Sequence, residues 1–185
     1  MELVLPLIVG LLVLLGGSYA WWHWMEHRFT VVSPGRVFTS AAMKPEQLRK
    51  VVLKQGIRTV VDLRGANERC GSEGLQAEAD VLQEVGAHHL NLASPQVPTE
   101  EILNEYLEWM SDPEHLPALI HCNHGEGRAV LFGALWRIEF EGVDPETARK
   151  GCRKVTTKGS SFDVKKAKGA FLRDYTPTGT YLPSG

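Results

Sequence analysis

The most constraining feature of the chain is the segment from Leu119 to Val130, LIHCNHGEGRAV. A short apolar run leads into a loop with two glycines and then into an apolar helix. A strand that passes through a tight loop into a helix N-terminus directs backbone N–H groups and the positive end of the helix dipole at one point. Gly125 and Gly127 permit the left-handed or closely approaching backbone that such a loop needs. The segment therefore predicts an anion-binding loop.

Two side chains give this loop its chemistry. Five residues separate Cys122 from Arg128. The field that binds an anion also stabilises a thiolate at Cys122. The planar fork of Arg128 can hold two phosphate oxygens, both in the bound ester and in the transition state. A thiolate below a phosphate, with a guanidinium beside it, indicates phosphoryl transfer through a phosphocysteine.

The pattern His121-Cys122-x-x-Gly125-x-x-Arg128 resembles the signature of the protein-tyrosine-phosphatase superfamily, in its small dual-specificity-like branch. The strings FTSAA (38–42) and GIRTVVDLRG (56–65) resemble that branch as well. The resemblance implies Cys122 as nucleophile, Arg128 as transition-state clamp and His121 as the residue that orients the loop. The implied phosphate-binding residues are Asn123, His124, Gly125, Glu126, Gly127 and Arg128. No metal or organic cofactor is implied, because the loop itself supplies the electrostatic stabilisation.

Two other interpretations of the loop remain open. Cys122 in a strand-to-helix turn fits a buried structural cysteine, although the glycines and the arginine favour the catalytic interpretation. His121, Cys122 and His124 contain zinc-ligating atoms, but they are too crowded for the usual separated pairs and have no partner pair elsewhere.

The general acid expected of such an enzyme is not evident in the sequence. In the family it is an aspartate in the loop after the strand that here corresponds to His88–Leu92, and this loop, SPQVP, holds no carboxylate. Glu126 inside the catalytic loop is one candidate. The others are Asp112, Glu100 and Glu101. Ala129 also departs from the family, which has Ser or Thr after the arginine to help the thiolate leave.

Composition and cysteine usage limit the alternatives. The 185 residues fit one domain with an appendage. The balance of 20 basic and 22 acidic residues shows no nucleic-acid-binding character. Cys70, Cys122 and Cys152 are too few for a disulfide framework. The resemblance allows a protective Cys70–Cys122 disulfide, whereas Cys152 is expected to pack in a helix.

The N-terminal segment is almost wholly apolar from Leu3 to about Ala20 and is followed by a tryptophan cluster at Trp21, Trp22 and Trp24. About eighteen apolar residues suffice to cross a bilayer, and tryptophan favours the interface. A cleaved signal peptide is the alternative, but it would need a positive N-terminus. We therefore expect a single-pass membrane protein. Arg28 and Arg36 after the span favour a cytoplasmic catalytic domain.

The domain division that follows is an anchor over 1–27, a phosphatase domain over 28–175 and a loose tail over 176–185. The predicted helices and strands alternate, which indicates an α/β fold with a mainly parallel central sheet flanked by helices. The predicted strands are a hairpin over 31–38 and runs at 57–63, 88–92 and 118–120. The predicted helices are 45–55, 76–85, 99–111, 130–140, a helix opening at Asp144, and 163–175.

The function predicted from these features is cysteine-dependent hydrolysis of phosphoprotein, foremost phosphotyrosine. One alternative is a lipid or inositol phosphate phosphatase at the membrane. The other is a pseudophosphatase that binds phosphate without efficient turnover. Arg64 either holds an anionic substrate or pairs with Asp62 or Glu68.

Overall fold

The computed structural model describes residues 4–68 and 70–182, and it describes their side chains apart from those of residues 4–7 and 20–27. In chain order the elements are α1 (Val4–His27), β1 (Thr30–Ser33), β2 (Val37–Ala41), α2 (Pro45–Gln55), β3 (Thr59–Asp62), α3 (Gly71–Glu84), β4 (His88–Asn91), α4 (Glu100–Ser111), β5 (Ala118–Cys122), α5 (Arg128–Glu141), α6 (Pro145–Gly151) and α7 (Ala167–Arg173). A short 3₁₀ turn, Pro113–His115, lies between α4 and β5.

The five strands form one sheet in the order β1-β2-β5-β3-β4. All neighbours are parallel except β1 and β2, which form the predicted antiparallel hairpin. The register pairs Ala41 with Cys122 and Asp62 with His121. The carboxyl ends of β2, β5 and β3 therefore meet at one edge of the sheet, where ligands bind in folds of this kind. The expectation of an α/β fold with a mainly parallel sheet flanked by helices is confirmed.

Side chains alternate across the sheet and form two apolar cores. Phe38, Val60 and Leu119 face α2 and α3. On the other face, Val61 and Ile120 pack in a larger core with side chains from α4 to α7. Because β5 is buried on both faces, it begins with a continuous apolar run, Ala118 to Ile120, instead of alternating apolar and polar residues.

Several helix ends follow from their capping residues. Thr99 accepts a hydrogen bond from the N–H of Ile102 at the start of α4, and Asp144 accepts one from Thr147 at the start of α6. Two predicted boundaries are wrong. Helix α3 begins at Gly71 rather than Gln76, because its polar first turn lacks the apolar spacing that a sequence pattern detects. Helix α7 begins at Ala167 rather than near Asp163, whose carboxylate instead binds the N–H groups of Gly159 and Lys165.

The prediction of a single-pass membrane protein is wrong. In the part of the chain that the structure describes, no helix has both the length and the apolar character needed to cross a membrane. The tryptophan cluster that suggested an interfacial anchor lies outside the described side chains.

Part of the segment predicted as a tail contacts α5. Thr178 donates hydrogen bonds to Glu139 from its N–H and its hydroxyl, the latter at 2.6 Å. The ring of Tyr181 lies 5.1 Å from that of Phe140. The division into 1–27, 28–175 and 176–185 stays a prediction.

Candidate active site

The predicted anion-binding loop joins β5 to α5 at the carboxyl edge of the sheet. Cys122 is the last residue of β5 and is 3% exposed, and Arg128 is the first residue of α5. Within the described chain, the backbone N–H groups of residues 123–127 donate no hydrogen bond. Unpaired N–H groups between a buried thiol and a helix N-terminus are the donors that an anion requires.

Gly125 fixes the curvature of this loop. Its φ is +66°, in the left-handed region that side chains rarely adopt. A Cβ at this position would lie 2.5 Å from the backbone nitrogen of Ala41 and 2.7 Å from the carbonyl carbon of Ser40. Only glycine therefore lets the loop lie directly against the end of β2.

The guanidinium of Arg128 is held by Glu68, from the loop after β3. The two terminal nitrogens of Arg128 donate to the two carboxylate oxygens of Glu68, each at 2.6 Å. Glu68 also accepts hydrogen bonds from the N–H of Gly65, at 3.0 Å, and from the side-chain amide of Asn123. The hydrogen bond from Arg128 lowers the pKa of Glu68, so this carboxylate is an anion near neutral pH.

Two carbonyl groups complete the position of Arg128. Its Nη1 donates to the carbonyl of Leu63 at 2.6 Å and to that of Ser94 at 3.0 Å. The neighbouring Ala93 has a φ of +40°, an unusual value for a residue with a side chain. Among described residues, Nε of Arg128 has no hydrogen-bond acceptor. The arginine is thus fixed through its terminal nitrogens, and Nε–H stays available to an anion.

His121 belongs to a buried charged cluster beneath the loop, with Asp62, Arg64 and Glu78. Its Nε2 lies 2.7 Å from Oε1 of Glu78. Burial lowers the pKa of His121, but the charge and hydrogen bond of Glu78, together with the charge of Asp62, outweigh burial and raise it. The histidine before Cys122 is therefore held in place by a residue of α3.

Arg64 forms ion pairs with buried carboxylates, and the predicted pairing with Asp62 is one of them. It donates from Nε and Nη2 to Asp62, at 2.8 and 2.7 Å, and from Nη2 to Glu78 at 2.5 Å. Ligand atoms of Asp62, Glu78 and His121 lie within 4.8 Å of one another, a spacing that could hold a metal ion. The guanidinium already supplies the positive charge there, so the residues fit an ion-pair cluster better than a metal site.

The four carboxylates considered as general acid do not face the loop as donors. Glu126 is about half exposed and pairs with Arg28, and its carbonyl accepts a hydrogen bond from Arg153 at 3.0 Å. Asp112 caps the 3₁₀ turn through the N–H of Glu114. Glu100 and Glu101 lie in the exposed first turn of α4.

Lys168 was not anticipated from the sequence. This residue of α7 is 7% exposed, and its Nζ lies 2.5 Å from Oε1 of Gln96 in the loop after β4. A Cβ placed on Gly127 would lie 3.5 Å from the same Nζ. The nearest sequence signal is Gly169, whose missing Cβ lets α7 approach the carbonyl of Asp163 closely. Nothing in the spacing of α7 connects this helix with the catalytic loop.

The remaining loop residues and cysteines are placed as follows. His124 is exposed. Cys70, Cys122 and Cys152 are free thiols. Burial raises the pKa of Cys152 to about 12, which fits the packing role expected for it.

Comparison with known proteins identifies the fold. The family model described as "PTP-NADK: DSP-PTPase phosphatase fused to NAD+ Kinase" matches residues 36–169. Among curated proteins, none matches the chain. The catalytic core of the PP-IP phosphatase SIW14 from S. cerevisiae, in complex with citrate, superposes with a TM-score of 0.63 at 17% identity, covering 83% of this chain and 88% of that one.

Two further solved structures agree. A variant of TpbA from P. aeruginosa in complex with pTyr gives a TM-score of 0.60 at 21% identity, covering 83% of this chain and 93% of that one. The structure of PTPMT1 gives a TM-score of 0.54 at 21% identity, covering 65% of this chain and 77% of that one. At these identities the likeness establishes the fold.

Proposed function

The chain belongs to the DSP-PTPase phosphatase family whose model it matches over residues 36–169, and we propose that it hydrolyses phosphate monoesters with Cys122 as nucleophile and Arg128 as transition-state clamp. Its activity as a cysteine-dependent phosphatase follows from the family. The roles of individual residues and the substrate are our proposals. The observation that supports them best is the row of backbone N–H groups over residues 123–127, which find no acceptor among residues 4–68 and 70–182 and lie between a buried cysteine and a fixed arginine.

In the first chemical step, Sγ of Cys122 forms a bond to phosphorus while the bond from phosphorus to the leaving oxygen breaks. The loop N–H groups and Nε–H of Arg128 bind the equatorial oxygens, where negative charge accumulates. Glu68 holds Arg128 in place, and the contact of His121 with Glu78 orients the residue before the nucleophile. Water then attacks the phosphocysteine, and inorganic phosphate leaves.

We propose phosphorylated protein, foremost phosphotyrosine, as the substrate. An aryl phosphate has a better leaving group than an alkyl phosphate, and this suits a site in which the loop after β4, SPQVP, offers no carboxylic acid to protonate the leaving oxygen. TpbA supports the assignment to the extent that its fold accommodates pTyr in a solved complex.

An inositol phosphate is the second candidate. Glu126, whose charge would oppose a highly charged substrate, is turned toward Arg28, and the cations of Lys168 and Arg153 lie against the catalytic loop. SIW14, which shares the fold, is a PP-IP phosphatase.

The test compares the full chain with Cys122→Ser on three substrates: an aryl phosphate, a phosphotyrosyl peptide and inositol hexakisphosphate. Cys70→Ser serves as the matched cysteine control. We expect Cys122→Ser to lose at least about a thousandfold in kcat/KM on the aryl phosphate, Cys70→Ser to keep its activity, and the peptide to exceed the inositol phosphate. The reverse preference would favour the second candidate. Vanadate binding without Cys122-dependent turnover would indicate a pseudophosphatase.

A further inference from the structure

The leaving oxygen needs a proton, and the carboxylates near the loop are each paired with an arginine. Glu68 binds Arg128 through both oxygens and is deprotonated. Glu126 pairs with Arg28 on the outer side of the loop. Asp62 is fully buried beneath the loop and binds Arg64. The loop after β4, where the family has its acid, carries Gln96 instead.

A lysine contacts the loop in which the family has that acid. Nζ of Lys168 contacts Oε1 of Gln96 and lies beside Gly127, so the ammonium bridges the loop after β4 and the catalytic loop. Lys168 is 7% exposed, and in the described part of the chain no carboxylate forms an ion pair with it. A buried cation without an anionic partner is costly. A bound phosphate ester would supply the missing negative charge.

We propose that Lys168 is the general acid of this phosphatase, donating a proton from Nζ to the leaving oxygen. The proposal rests on the proposed function, because it assigns one step of the Cys122-dependent reaction. Gln96 acts as a positioning residue, since its Oε1 accepts one ammonium hydrogen and directs the others toward the anion site.

The proton balance closes over the two steps. In the first, the Sγ–P bond forms, the P–O bond to the leaving group breaks, and an Nζ–H proton passes to the leaving oxygen, which leaves a neutral amine. In the second, the amine takes a proton from the attacking water as its oxygen bonds to phosphorus and the S–P bond breaks. The ammonium is restored and inorganic phosphate is released.

The surroundings of Lys168 lower the pKa of its ammonium group. Burial lowers its pKa, a Cys122 thiolate acts in the opposite direction, and the cations of Arg128 and Arg153 lower it further. A lysine with a lowered pKa is a better acid than a free one. Because the proton must be present, turnover should fall as pH rises through the pKa of Lys168.

The experiment compares two leaving groups in each variant of the full chain. Dinitrophenyl phosphate needs little protonation, whereas phenyl phosphate releases a phenol with a pKa near that of tyrosine, about 10. We expect Lys168→Met to lower kcat/KM by about a hundredfold or more on phenyl phosphate and by less than about tenfold on dinitrophenyl phosphate. The ratio of the two values does not depend on how much of a variant is folded.

Two further variants separate acid catalysis from charge. Lys168→Arg keeps the cation but holds its proton too tightly, so it should resemble Lys168→Met on phenyl phosphate and lose the fall at high pH. Lys166→Met, an exposed lysine just before α7, should match the parent protein. Equal losses on both esters, or recovery in Lys168→Arg, would overturn the proposal and leave Lys168 as a phosphate ligand. Parent turnover that survives Cys122→Ser would instead refute the proposed function.

Discussion

Glu68 and Arg128 form a two-pronged ion pair, with both carboxylate oxygens 2.6 Å from the terminal guanidinium nitrogens. The pair crosses from the loop after β3 to the first residue of α5. Glu68 thereby determines which edge of the guanidinium faces the anion site. It is a candidate site residue that the sequence motif does not contain.

Glu68→Gln should reduce kcat/KM on an aryl phosphate by about ten- to a hundredfold, because the arginine loses its fixed orientation while its charge persists. Steady-state kinetics of the full chain measures the loss. Glu73→Gln, an exposed change in the first turn of α3, is the control. Unchanged kinetics in Glu68→Gln would show that the carbonyls of Leu63 and Ser94 suffice to hold Arg128.

Gly125→Ala should destabilise the protein and abolish turnover. The left-handed backbone alone costs a non-glycine residue about 1–2 kcal/mol, and the added Cβ would also overlap the backbone of Ser40 and Ala41. Gly35→Ala is a matched control, since its φ is +69° but a Cβ there meets no atom within 4 Å. Thermal unfolding should show a larger decrease in Tm for Gly125→Ala than for Gly35→Ala. Equal losses would mean that β2 moves aside freely.

Gly125 and Glu68 show how far the site could be predicted from the sequence. The anion-binding loop, with Cys122 and Arg128 at its two ends, was predictable because seven consecutive residues contain it. Glu68 and Lys168 were not, because each reaches the loop from a separate element and only the packing of the sheet and α7 brings them there. The helix predicted at 76–85 also missed its polar first turn, which follows the loop that carries Glu68.

The stability of the fold should decrease as pH rises above neutrality because of His121. Its raised pKa means that the folded state binds the proton more tightly than the unfolded state does. This contribution is complete below the unfolded pKa of about 6.5 and is lost as pH rises through the higher folded value. Deprotonation of His121 leaves Asp62 and Glu78 with Arg64 and with the ring of His89, whose Nε2 lies 3.9 Å from Asp62 and 3.7 Å from Glu78.

Thermal unfolding from pH 6 to pH 9, for the parent and for His121→Asn, measures this contribution. The parent should lose stability relative to the variant across that range. Parallel curves would contradict the assignment of a protonated histidine to the cluster.

Ala129→Ser should accelerate breakdown of the phosphocysteine. The missing hydroxyl leaves the departing thiolate without one hydrogen bond, and a hydrogen bond to a charged group changes a rate by about tenfold or more. In rapid mixing with dinitrophenyl phosphate, the parent should show a burst of phenolate that Ala129→Ser diminishes. Ala134→Ser adds a hydroxyl at another buried position of α5 and should keep the burst. A parent without a burst would place the slow step before the phosphocysteine.

The ion pair between Arg28 and Glu126 gives the catalytic loop a mechanical link to the residue that directly follows α1. Glu126 is the single acidic residue of the sequence from Cys122 to Arg128, and its carbonyl accepts a hydrogen bond from Arg153, which follows α6. Glu126 therefore connects the loop to Arg28 just after α1 and to Arg153 after α6. A shortened protein that begins at Thr30 would lack the ion pair between Arg28 and Glu126, whereas one that begins at Arg28 would keep it. The start chosen for a shortened protein is thus a change to the active site as well as to the N-terminus.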